Sequence, residues 1–146
     1  MVMAMKMHHD NWHYASMFFI MLVAGVLSTM NVWANKLDDM RLSLNDVYMI
    51  FLMTGWMFFF MGLLDGHVII TLAGLVLAVV CIWCIRTQFG ISQSQYLTGM
   101  IPHHSMAVLM SKRLLDKSGI TIQPFLDNLI KTQDAEITFM KAKLAS

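Results

Sequence analysis

Three apolar runs separated by short polar breaks fill the first two thirds of the chain, and two amphipathic helical stripes follow them. The runs cover Tyr14 to Ala34, Val47 to Leu64 and Val68 to Ile85. A bilayer is crossed by ~17–25 apolar residues, so each run predicts a transmembrane helix, the second and third near the lower limit. Trp12, Tyr14 and Trp33 stand at the two ends of the first run, where interfacial aromatics belong. That run exceeds the ~7–15 residues of a signal-peptide core, which favours a retained helix over a cleaved leader. Between the first two runs, Asn35 to Asp46 is a polar connection carrying Lys36, Asp38, Asp39 and Arg41, with Ser43 and Asp46 spaced as in a capping box. Asp65-Gly66-His67 is short enough to force the second and third runs into an antiparallel hairpin, and reads as ordinary turn chemistry. Arg86 to Ile91 links to a helix capped by Ser92 or Ser94 and stopped at Lys117-Ser118-Gly119, with Gly in the left-handed position. A last helix starts near Thr121 or Ile122, tolerates Pro124 in its first turn and runs to about Leu144. The class is all-α.

Composition sharpens the membrane reading. The 146 residues are 58% hydrophobic and 13% charged, against ~25% charged in soluble domains. A net charge of +1 provides no basic stripe for phosphates, which excludes nucleic acid as a partner. Methionine is abundant, at sixteen residues. Met1, Met3, Met5 and Met7 fall in a tail, residues 1–13, beside His8, His9 and His13. The tail reads either as a short leader or as a metal-collecting arm.

The chemistry concentrates just past the third run. At ~100° per residue, Met100, His103, His104, Ala107, Met110 and Leu114 share one side of a helix, with the two imidazoles flanking the stripe's centre. Imidazole and thioether together suit a soft or borderline metal such as copper. The competing reading is a satisfied core histidine among gap-filling methionines. Pro102 removes one backbone bond and predicts a kink. On the last helix, Leu126, Leu129, Ile130, Ile137, Met140 and Leu144 form the apolar stripe, with Gln133 in its middle and Glu136 on its flank. A polar group there costs ~1–3 kcal/mol without a partner, and the His pair offers one, directly or through a metal. Cys81 and Cys84 make a C-x-x-C inside the third run; small buried hydrophobes are the simpler reading, a Cu(I) dithiolate the sharper one.

Tyr96-Leu97-x-x-Met100-Ile101-Pro102-His103-His104-x-x-Ala107-x-x-Met110, followed by Gln133-x-x-Glu136-Ile137-x-x-Met140, resembles the bacterial family called domain of unknown function 305. Some members are ferritin-like helical proteins of the CopM type that bind copper in the periplasm, and the three preceding runs resemble a membrane-anchored branch. The resemblance implies copper, as Cu(I), at His103, His104, Met110 and Met140, with Gln133 and Glu136 beside or on the metal and Met100 and Met106 as further soft candidates. Longer members repeat the helical pair; this chain has one pair. A homodimer or higher homo-oligomer closing a four-helix bundle is therefore expected.

Three function classes follow. The first is a bacterial inner-membrane protein, set in the lipid bilayer, that buffers copper or hands it to a copper-transfer protein, with binding that weakens in acid as imidazoles protonate. The second is a ferritin-like metal-dependent oxidase, disfavoured because Glu136 is the one inward carboxylate the pattern offers. The third is a structural subunit whose His pair ties helices together. The expected domains are the tail 1–13, a transmembrane region 14–85 and a metal-binding hairpin 92–146. Lys36, Arg41 and Arg86 against Lys6 favour a cytoplasmic hairpin by the positive-inside rule, whereas the family resemblance implies a periplasmic one.

Overall fold

A computed structural model describes residues 2–146, with side chains from residue 12 onward. The expectation of a metal-collecting arm rests on His13 and on Met1, Met3, Met5, Met7, His8 and His9, and the side chains of all but His13 lie outside the described residues. Five helices, α1 (Val2–Leu27), α2 (Leu44–Leu64), α3 (Val68–Thr87), α4 (Gln93–Leu115) and α5 (Gln123–Ala145), make up the fold with two short 3-10 turns. No strand occurs among the described residues. Three stretches are long and apolar enough to cross a membrane: Trp12–Trp33, Leu44–Leu64 and Val68–Thr87.

The chain divides into two compact units, Met1–Leu27 with Val47–Phe89, and Ser28–Asp46 with Gly90–Ser146. In the first, α2 and α3 meet backbone to backbone. A Cβ added to Gly74 would lie 2.3 Å from Phe59 N, and one added to Gly55 would lie 2.8 Å from Ala78 N. Lipid offers no hydrophobic drive for helix association, so van der Waals contact between small residues is what joins such helices. Cys81, three residues beyond Ala78, continues that small-residue face; it and Cys84 are free and buried. Gly25 admits α1 against Ile50 of α2 by the same device. At the middle of α1, Tyr14 donates to Asp65 Oδ2 at 2.8 Å and sits edge-on to His67, 5.8 Å between ring centres. The turn residues expected to be ordinary thus fasten α1 to the α2–α3 hairpin.

The second unit departs from the sequence pattern in its boundaries. The first apolar run does not stay helical to Ala34. The α-helix ends at Leu27, Thr29 turns extended, and Met30–Trp33 forms a 3-10 turn. Asn31 explains the break. Its side chain donates to the Arg41 carbonyl at 2.9 Å and accepts from the Arg41 amide at 2.8 Å, pinning both ends of the connection. A second 3-10 turn, Leu37–Asp39, follows. Ser43 and Asp46 close the expected capping box, with Ser43 N donating to Asp46 Oδ2 at 2.8 Å. Ser92 is the residue that caps α4, its Oγ accepting from Gln95 N at 3.2 Å. α4 then runs unbroken through Pro102.

Ile101, Val108, Ile137 and Met140 form the core between α4 and α5, with Leu97, Met100, Ile130 and Leu144 packed against it. The buried line on α4 is therefore rotated from the one that periodicity suggests. His103 and Met110, expected inward, are exposed, while Ile101, Ser105 and Val108 are fully buried. The cause is the connection. It covers the Ser105 flank, with Asn35 N donating to Ser105 Oγ at 2.8 Å, so α4 is enclosed from two sides and its His103–Met110 side turns outward.

Candidate metal centre

His104 is the inward member of the histidine pair. Its side chain is 17% exposed, and Nδ1 approaches Glu136 Oε2 to 3.0 Å. The distance suits a hydrogen bond, but the geometry does not make one, and Nδ1 is buried without a hydrogen-bond partner. Two atoms that can donate to a metal thus converge from facing helices. An antiparallel pair keeps the sum of facing residue numbers constant, so the register that sets His104 against Glu136 sets Met100 against Met140. Met140 belongs to the core cluster, and half-buried Met100 packs against it. Met100 and His104 share a face of α4 at i, i+4, as Glu136 and Met140 do on α5.

Of the eight residues expected at the site, His104 and Glu136 approach each other, and Met100 packs against the core that holds Met140 one turn away. His103 and Met110 face outward, Met106 lies two positions from His104 and half-buried, and half-buried Gln133 falls across from Ala107 one turn from Glu136. Among the described residues, no group of three His, Cys, Asp or Glu side chains is placed to hold a metal. One imidazole and one carboxylate fall short of a hard-metal set, and the two thioethers are what would complete four ligands. That donor set fits a soft ion better than iron, which suits carboxylate-rich sites.

Glu136, expected to be the one inward carboxylate, is half-exposed, and the buried carboxylate is one the sequence pattern missed: Asp39, 2% exposed. Its Oδ2 accepts from Ser105 Oγ at 2.6 Å and its Oδ1 lies 2.7 Å from Lys141 Nζ. Lys141 also binds Asp38. That hydrogen bond and the ammonium charge hold the Asp38 carboxyl below its ordinary value. Burial pulls the Lys141 ammonium down, but its hydrogen bonds to Asp38 and Asp39 outweigh this and leave its pKa raised. Asp39 is thus committed to a cation and a hydroxyl, and adds nothing to an oxidase-type carboxylate cluster. Adjacent acidic residues in a connection gave no periodic signal; only the burial of Ser105 opposite them marks the contact.

Residues 88–144 match the family described as Domain of unknown function (DUF305). An uncharacterized protein of Acanthamoeba polyphaga mimivirus is 43% identical over 131 residues, covering 84% of each chain. The chain belongs to the DUF305 family. Its domain match spans α4 and α5, the helices that carry His104 and Glu136, and the likeness to the viral protein reaches well beyond it into the apolar helices. No solved structure matches the chain.

Proposed function

We propose that this protein is a membrane-anchored copper-binding protein that holds Cu(I) between α4 and α5, through Met100, His104, Glu136 and Met140, and buffers it or passes it to a copper-transfer protein. The carrying observation is the 3.0 Å approach of His104 Nδ1 to Glu136 Oε2, with no hydrogen bond closed between them, beside Met140 of the core and Met100 packed against it in register. Thioether and neutral imidazole are soft, weakly held ligands, which suits reversible loading. The membrane reading is supported by connectivity. Three crossings deliver the α1–α2 connection and the chain after α3 to the same side of a bilayer, and those two segments join into one unit. The proposed oligomer is a homodimer whose hairpins pair through sides that carry exposed Met110, Phe125 and Phe139. The bacterial inner membrane is one home for such a chain, with the hairpin in the periplasm as the family resemblance implies; the mimivirus relative places a similar chain in a viral proteome.

The test is Cu(I) binding by the detergent-purified full chain beside Met100→Leu/Met140→Leu, an exchange that preserves core volume. One copper per site, weakened in the double variant, supports the reading. Absence of copper in the folded wild type overturns it. A second reading rests on the same approach: His104 and Glu136 as a metal-free tie between helices. It predicts that His104→Ala lowers stability and that no metal binds.

A further inference from the structure

The connection Ser28–Asp46 is built inside out. Its buried side chains are polar: Thr29, Asp39 and Ser43, at 8%, 2% and 4% exposure. Its exposed side chains are largely apolar: Val32 at 66%, Trp33 at 52%, Leu37 at 86%, Met40 at 45% and Leu42 at 54%. A water-facing segment has the opposite arrangement, because each exposed large apolar side chain forfeits roughly 1.5–3 kcal/mol of burial. The inward polarity has a cause, since Asp39 anchors the segment to Lys141 and Ser105, and Asn31 closes it on the Arg41 backbone. The outward apolarity has none among the described residues.

We infer that the outer face of this connection lies in the headgroup layer of the bilayer, so that it is the membrane-seated strap of the second unit. This rests on the reading of α1–α3 as membrane spans. Continuity singles out lipid as the occupant. The segment leaves α1 at Leu27 and enters α2 at Leu44, so both its ends emerge from apolar helices, and Leu27 itself is 70% exposed. Sixteen residues join the helices, and Asn31 closes the segment on the Arg41 backbone instead of letting it extend. Trp33 is the residue type that settles at the interface, and exposed Lys36 supplies a cation for anionic headgroups. Apolar faces of interfacial segments sink ~5–10 Å below the headgroups.

The test places a nitroxide label at Leu37→Cys in a Cys81→Ala/Cys84→Ala background, full chain, in vesicles of neutral and anionic phospholipid. A label there removes no contact. Val76→Cys on the exposed side of α3 and Lys117→Cys at the α4–α5 turn serve as references. Collision with dissolved oxygen several-fold above collision with a water-soluble nickel complex at both Leu37 and Val76, with the reverse at Lys117, is the expected result. A lipid-facing Val76 with a water-facing Leu37 overturns the strap and leaves the spans standing. A water-facing Val76 overturns the membrane reading itself. A Leu37 label shielded from both probes indicates a protein partner on this face, and also overturns the strap.

Discussion

Ser105 Oγ donates a 2.6 Å hydrogen bond to Asp39 Oδ2 across 66 positions of sequence. Both side chains are buried, and Lys141 of α5 closes on the same carboxylate. A hydroxyl and an ammonium from two helices thus converge on one acid of the connection, which makes Asp39 the polar keystone of the second unit. Removing one partner of a buried pair leaves a charge uncompensated. Lys141 is 25% exposed, so water recovers part of that loss. Asp39→Asn is expected to cost about 2–3 kcal/mol, and Ser105→Ala about 1 kcal/mol. Denaturant midpoints of the purified chain check both, and equal costs for the two would contradict the assignment.

The ion pair also sets a pH window. The folded Asp38 carboxyl sits below its ordinary 3.8, so its contribution is complete above that value and is lost as pH falls through the lower folded one. The Lys141 ammonium sits above its ordinary 10.5, so its contribution is complete below that value and is lost as pH rises past it. Between these limits the contact adds no slope. Melting temperature against pH should therefore fall less steeply in strong acid for Asp38→Asn than for wild type.

Packing of α2 on α3 depends on missing side chains. Gly74→Ala would press a methyl to 2.3 Å from Phe59 N and 2.7 Å from Gly55 O, both backbone atoms that cannot step aside. A cost of about 2–3 kcal/mol follows. Gly66 has φ +71 and open space around it, so Gly66→Ala meets only backbone strain, about 1 kcal/mol. Unfolding in mixed detergent should rank them in that order, and the reverse order would contradict the close approach.

The helices were legible in the sequence because length, apolar runs and caps are local. Val68, Gly66, Ser43 with Asp46, and Pro124 all do what their positions suggest. What the sequence hid was non-local. Asn31 breaks an apolar run because Arg41 offers it a backbone partner, a pairing no periodicity encodes. The α4 stripe was displaced for a related reason: periodicity finds one covered face, and α4 has two. His103 and His104 are neighbours in sequence, yet burial of Ser105 turns one outward and leaves the other beside Glu136.

That split between the histidines gives the most direct test of the proposed copper site. Cu(I) affinity should be measured by competition with a calibrated chelator for wild type, His103→Ala and His104→Ala, each confirmed folded by its helical signal. Copper binding at wild-type strength in His103→Ala, with a loss of about 100-fold or more in His104→Ala, is the predicted result. Equal losses in both variants, or a loss confined to His103→Ala, would contradict a site built on His104 and Glu136.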